Sequence, residues 1–403
     1  MTRARPPAYA PPVPPATADA PARHAALRRR LLAWWDAGHR PLPWRQPQRG
    51  ADPYRVWLAE VMLQQTQVAT ATPYWLRFVE RWPTLEALAA ARDEDVLAAW
   101  SGLGYYARCR NLLAAAREAL RRHGGLPSSH EALRALPGFG PYTAGAVASI
   151  AFAAPVPAVD GNVTRVLSRL FLVEGDPAAR GARARVAALA AALVDRERPG
   201  DLNQALMELG ATVCRPRPDC ARCPVAARCA ARAAGRAAEL PPPRRRPEKV
   251  RQVLACAVVV REGRVALVRR PAAGLFAGLA AFPAAEVAPG DAAGAALERY
   301  ARTRHGLRLR AGEELARVER VLTHRLLELR ALRCSLARPP PEEGIRWVPA
   351  DALDGAGLPA AMRALAAAVR DALGEAPPPS GGARQPARAR ARANSLAPRR
   401  DFV

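Results

Sequence analysis

Four of the chain's seven cysteines stand together, Cys214, Cys220, Cys223 and Cys229, spaced C-x5-C-x2-C-x5-C. A knot of thiols in a chain without signs of secretion points to metal rather than to disulfides. A structural zinc ribbon normally uses two tight C-x2-C knuckles. Here only the middle pair is tight, and the outer cysteines reach further, as wrapping an iron–sulfur cage requires. The spacing favours an iron–sulfur cluster and leaves zinc as the alternative. Arg215, Arg217, Arg222 and Arg228 surround the knot; they would offset thiolate charge and could face phosphates, or could simply solvate the surface. Cys109, Cys256 and Cys334 are scattered and read as small buried hydrophobes.

Two carboxylates sit in contexts that suit acid–base work. On a helix, Glu60 shares its face with Val56, Trp57, Leu63 and Gln64. A carboxyl among apolar neighbours resists ionisation, so it can arrive protonated and act as a general acid. The competing reading is an exposed glutamate paired with an arginine. Asp160 directly precedes a helix expected to begin near Asn162, where an aspartate could serve only as a cap. The string Leu136 to Gly145, LPGFGPYTAG, reads as helix, tight turn, helix. Gly138 and Gly140 permit positive φ and leave backbone N–H groups uncovered, and Pro141 suits the first position of the second helix. Such a turn can hold a nucleic-acid phosphate without reading bases, although an ordinary Gly-Pro turn shares the pattern.

The elements that must position these groups fall into segments. Residues 1–23 are rich in Pro and read as a disordered lead-in; 24–235 carry helical periodicity, clearest at Leu85–Trp100, Asn111–Arg122 and Val163–Leu172. Residues 236–251 form a basic, Pro-rich linker, and 376–403 a basic disordered tail. Between them, 252–375 read as an α+β domain, opening with Val253–Val260 and Val265–Val268 as strands paired around Arg261 to Arg264. With 403 residues, 50% of them apolar, the chain can bury two or three cores. A net charge of +25 favours a polyanionic partner, or reflects an Arg-rich genome. Lys249 is the single lysine, so amines for Schiff-base chemistry are nearly absent. The longest apolar run, Val186 to Val194, is too short to span a bilayer. The chain is expected to be soluble and intracellular.

Five stretches in order, Trp57 to Gln67 (WLAEVMLQQTQ), Gly102 to Arg108 (GLGYYAR), the hairpin string, Val159 to Val163 (VDGNV) and the cysteine knot, closely resemble the adenine DNA glycosylases of the MutY type. These belong to the helix-hairpin-helix superfamily that also contains endonuclease III. The resemblance covers about residues 27–235 closely and 252–370 loosely. It implies a mainly α helix-hairpin-helix glycosylase domain with an iron–sulfur cluster loop, followed by an α+β Nudix-like domain. The implied activity is monofunctional removal of adenine mispaired with 8-oxoguanine or guanine in double-stranded DNA, by base flipping and acid-assisted hydrolysis, with a [4Fe–4S] cluster, in a monomer. By the same resemblance Glu60 protonates N7 of adenine, while Asp160, ionised, lies close to C1′ of the sugar. Tyr142 stands where bifunctional relatives carry a catalytic lysine, with its hydroxyl orienting Asp160 or merely packing. Asn162 helps position Asp160 and the leaving base. Arg40, Trp44, Arg45, Leu63 and Gln204 surround the flipped adenine, with a core role competing for Trp44 and Leu63. Gln65, beside Thr66, and Tyr105 fill the gap in the stack next to 8-oxoguanine, and Gly138 and Gly140 meet the DNA backbone. The first cysteine gap is one residue shorter than the family commonly has.

In the second domain the clearest traces of a Nudix-like fold are Pro271 to Leu279 and Phe282-Pro283. Residues 290–306 supply only Asp291 and Glu298, too few acids to hold magnesium on a pyrophosphate, so hydrolysis there is not expected. The family checks 8-oxoguanine with a Phe-Ser-His-like loop, matched here by Leu322-Thr323-His324, in which Thr323 keeps the hydroxyl. The competing functions are an AP-lyase acting on oxidised pyrimidines, a non-catalytic iron–sulfur DNA-binding protein, and a nucleotide pyrophosphatase. The first is disfavoured by Tyr142 and by the single lysine.

Overall fold

A computed structural model describes residues 20–45, 51–243, 248–271, 274–322, 325–340 and 344–374. The first twelve helices are α1 (Ala20–Ala37), α2 (Pro53–Leu63), α3 (Val68–Arg81), α4 (Leu85–Ala90), α5 (Asp93–Trp100), α6 (Tyr106–His123), α7 (His130–Arg134), α8 (Pro141–Phe152), α9 (Gly161–Leu170), α10 (Arg180–Leu193), α11 (Pro199–Thr212) and α12 (Ala230–Ala233). They divide into two lobes. Trp57, Phe78, Trp100, Leu112 and Val147 build one core from α2 to α8. Leu27, Trp35, Leu167, Leu193 and Leu206 build a second from α1 and α9 to α11. From α1 in the second lobe the chain makes the whole of the first and returns, which leaves a cleft along the seam.

Two sequence expectations shift here. The segment Leu85–Trp100 is two helices, because Ala91 and Arg92 are extended and Asp93, Glu94 and Asp95 begin a new helix with charge that suits its N-terminus. The boundary set at residue 24 falls inside α1, which begins at Ala20.

The second domain contains β1 (Val250–Val258), β2 (Val260–Arg261), β3 (Arg264–Arg269), β4 (Ala280–Ala281), β5 (Ala284–Val287), α13 (Ala293–His305), β6 (Leu309–Val321), β7 (Arg325–Leu336), β8 (Ile345–Pro349) and α14 (Ala360–Gly374). One sheet runs β5-β1-β7-β6; the other runs β2-β3-β4 with β8 on β3. The expected hairpin of Val253–Val260 with Val265–Val268 is mostly absent: only Val260 and Arg261 pair with β3, while β1 lies in the other sheet, parallel to β7 with Cys256 opposite Ala331. β1 is buried on both faces. Leu254, Cys256 and Val258 enter the core under α14, and Ala255, Ala257 and Val259 enter the core with α13. The strand also starts two residues inside the expected linker.

The domains touch directly. Ser101 Oγ donates to Leu358 O at 2.8 Å, Arg110 donates to Ala277 O at 2.7 Å, and Leu279 packs into the first helical core. No described helix is long and apolar enough to cross a membrane.

In α8, a Cβ on Gly145 would lie 2.2 Å from Pro157 O, and Pro157 leads into Asp160. Gly145→Ala is therefore expected to destabilise the chain by about 1–3 kcal/mol, measured by urea unfolding. Its rate of any reaction dependent on Asp160 should fall as well.

Candidate active site

Asp52 caps α2, accepting from Tyr54 N at 2.9 Å, and Pro53 occupies the first turn. The helix is then buried on all sides, from Val56 to Met62, as a sequence with almost no polar stripe demands. Glu60 is the acid inside it, 7% exposed. Burial pushes its carboxyl up to about 7; the Tyr142 hydrogen bond and Arg45 pull down, and Asp160 pushes further up. Tyr142, in the first turn of α8, donates its hydroxyl to Glu60 Oε2 at 2.5 Å. The expectation that Tyr142 orients Asp160 is thus corrected: its bond goes to the other carboxyl, which α8 faces directly across the α2 contact. Burial also holds the phenol proton in place, well above the usual range. Gln64 donates to Thr143 at 3.2 Å.

Asp160 is the N-cap of α9. Its Oδ1 accepts from Val163 N at 2.7 Å and its Oδ2 from Asn162 Nδ2 at 2.9 Å. Both oxygens accept, as in an ionised carboxylate, so the capping role and a charged role coexist. Burial raises its pKa, and these bonds with Arg165 oppose the rise. Asn162 Oδ1 accepts from Arg165, which also donates to Cys214 O, each at 2.8 Å. Asn162 can sit here because α11 presents Gly210, where a Cβ would lie 2.6 Å from Asn162 Cβ.

Glu60 and Asp160 face one cleft of about 640 Å³, closed by α2, α8, α9, α11 and the segment after α1. The expected pocket residues Arg40, Trp44, Arg45, Leu63 and Gln204 all line it, as do Gln65, Thr66, Tyr142 and Asn162. Trp44 and Leu63 belong both to the core and to the wall. Gln65 adopts φ +57, and Thr66 accepts from Arg108 at 3.1 Å. Sequence reasoning missed Glu208, which binds Arg40 and Arg45, although its helical spacing of four from Gln204 puts both on one face. It also missed Arg108, whose guanidinium ties the carbonyls of Val61 and Met62 at the end of α2.

Tyr105 goes elsewhere. At φ +49 and 41% exposed, it lines a second cleft of about 940 Å³ with Leu322, Arg270, Arg299 and Arg325 of the other domain. Thr323 and His324 lie outside the described residues. In the hairpin, Gly138 does use positive φ, +75, against Asn111. Gly140 does not: at φ −77 and ψ 174 it is an extended N-cap, because Pro141 follows and favours extended backbone before it. No side chain caps α8, so its first amides remain open to an anion.

All four clustered cysteines line one small apolar pocket with Val166, Leu170 and Leu209. Burial, and the other thiols nearby, push Cys223 up to about 11. Such a thiol needs a cation to become a ligand thiolate. Four soft thiol donors around one shared pocket suit an iron–sulfur cage, and zinc as well. Arg169, 2% exposed, donates to Cys214 Sγ at 3.3 Å and Leu240 O at 2.7 Å, a third residue that sequence reasoning missed. Arg215, Arg217, Arg222 and Arg228 are exposed.

A helical hairpin beside a cleft between two lobes, with paired carboxylates inside, defines the class of helix-hairpin-helix base excision repair proteins. The family model "HhH-GPD superfamily base excision DNA repair protein" matches residues 58–191, and a NUDIX domain model matches 255–368. Over 214 residues the chain is 51% identical to the adenine DNA glycosylase of Rattus norvegicus, covering 51% of this chain and 42% of that protein. Over 217 residues it is 44% identical to the adenine DNA glycosylase of Mycobacterium tuberculosis, covering 53% of this chain and 70% of that protein. The chain belongs to the adenine DNA glycosylase family. Its match spans less than half the length of the mammalian relatives. A solved thermostable thymine-DNA glycosylase is 26% identical, with a TM-score of 0.48, over 54% of this chain and 99% of that one.

The raised Glu60 carboxyl has a stability consequence. The folded chain binds this proton more tightly than the unfolded chain, so stability falls as pH rises from the ordinary 4.5 through about 7. Glu60→Gln removes that penalty. The variant should exceed wild type by about 3 kcal/mol at pH 8 and by little at pH 4.5, measured by urea unfolding.

Proposed function

We propose that the protein excises adenine mispaired with 8-oxoguanine, or with guanine, from double-stranded DNA, leaving the strand intact. The observation that carries this reading is the convergence of Glu60 and Asp160, from different lobes, on one cleft that an extruded base can enter. Near neutrality Glu60 still holds a proton in part of the population and can deliver it to N7 of the base. The C1′–N9 bond breaks, its electron pair leaves with the base, and the proton quenches the charge. Asp160, accepting two hydrogen bonds as a carboxylate, faces the cationic sugar and stabilises it. Water adds to C1′ and returns a proton to Glu60. Tyr142 holds Glu60 in place, and among the described residues no amine lines the cleft: Lys249 is exposed beside β1. Arg40, Trp44, Arg45, Leu63 and Gln204 frame the base. Gln65, Thr66 and Tyr105 meet the opposite strand, with Thr323 and His324 reading its 8-oxoguanine.

Cys214, Cys220, Cys223 and Cys229 would hold a [4Fe–4S] cluster, which cross-links their loop and presents its exposed arginines to DNA phosphates. The alternative of pyrophosphate hydrolysis gains no support: Glu298 accepts from Ala311 N and Asp291 pairs with Arg299, each within 2.9 Å. A DNA substrate fits a cytoplasmic, nucleoid-associated monomer.

Duplexes holding A, C, G or T opposite guanine or 8-oxoguanine test the reading. Adenine should be released from its mispairs and the strand should break only after alkali, while Glu60→Gln loses release and keeps mispair binding. Pyrimidine release, or strand cleavage without alkali, would overturn it. The purified protein should carry about four irons per chain, and stoichiometric zinc after anaerobic purification would refute the cluster.

A further inference from the structure

Glu208 is the most heavily bonded acid in the cleft, and the reaction described above does not use it. Its side chain is 2% exposed. Oε1 accepts from Arg40 Nε at 2.7 Å and Oε2 from Arg40 NH2 at 2.8 Å, a bidentate fork. The same Oε2 accepts from Arg45 at 2.7 Å. Arg45 in turn donates to Arg40 O at 2.9 Å and lies 4.8 Å from the centre of the Trp35 ring. Its guanidinium side chain is 9% exposed. One carboxylate thus sets the position of two guanidinium groups on one wall. The bonds overcome burial and hold Glu208 down to about 2, ionised throughout the working range.

Charged and titratable groups face Glu60 from each surrounding element. Tyr142 comes from α8, Asp160 from the start of α9, and Arg45 from the segment after α1. Arg108 on α6 is committed to the carbonyls of Val61 and Met62, and Arg165 on α9 to Asn162 and Cys214. Arg45 is the cation acting on Glu60, and Arg40 stands behind it. Without Glu208, the full guanidinium charge of Arg45 beside a carboxyl that must stay protonated would favour its ionised form.

We propose that Glu208 is a positioning residue of excision: as the shared counter-ion of Arg40 and Arg45 it fixes both on the cleft wall and cancels charge that would otherwise draw the proton from Glu60. This rests on Glu60 being the proton donor. Both carboxylate oxygens of Glu208 are taken up by the arginines; it acts through them and the field they exert.

The test is single-turnover adenine release by the full chain, from pH 5 to pH 9, on a duplex with adenine opposite 8-oxoguanine. Glu208→Gln should move the alkaline limb down by about one pH unit. Relative to wild type, release should then slow by a factor about tenfold larger at pH 8 than at pH 5. Glu208→Asp keeps the charge and should keep the limb. The double variant Glu208→Gln with Arg45→Met removes the exposed charge together with its partner, and should return the limb to the wild-type position or above. A loss equal at every pH in Glu208→Gln would overturn the counter-ion role. If that variant does not fold, a limb displaced downward in the double variant would do the same. A wild-type profile without an alkaline limb would overturn the proton-donor reading as well, whereas a limb that Glu208→Gln leaves in place defeats only the present proposal.

Discussion

Holding a proton on a carboxyl near neutrality requires that water and net positive charge be kept from it together, and the placement of Glu60 meets both demands. A helix with no polar stripe can be buried all round, and the acid it carries is then surrounded by packing. The two-lobe architecture follows from that constraint. One lobe encloses α2, while the other brings Asp160, Asn162, Gln204 and Glu208 to the same seam on α9 and α11. Arg108 closes the exposed end of the buried helix by binding its last carbonyls, so the helix can stop at the cleft instead of running through it.

Much of this was legible in the sequence because the chemistry lies in short contiguous motifs. The apolar surroundings of Glu60, the capping position of Asp160 and the turn at Gly138 are all local, and local patterns survive translation into structure. The partners of Arg40 and Arg45 were not legible, since Glu208 is more than 160 residues away and nothing near the arginines announces it. Tyr142 failed for a related reason. Its place in the hairpin was clear, but which of two carboxylates its hydroxyl reaches depends on how α8 crosses α2.

The second domain was read least well. An apolar, β-branched run identifies a strand and says little about its neighbours, so β1 was paired with the next segment when its parallel partner is β7, 75 residues on in register. A strand buried on both faces carries the same apolar signal whichever edge it joins. The cleft between the domains depends on the same long-range assembly, because Tyr105 and Leu322 line it from different domains.

Asp160 starts a helix and, in the proposed reaction, faces the sugar with the same pair of oxygens. Selection for folding and selection for chemistry therefore act on one side chain. Asparagine can replace the cap but not the charge, and glutamate can replace the charge but sets it one methylene further from the cap amide. Drift at this position is closed from both sides. A lineage that lost the need for the reaction would still retain an aspartate or asparagine here for the sake of the helix, and its loss of function would leave little trace at the site itself.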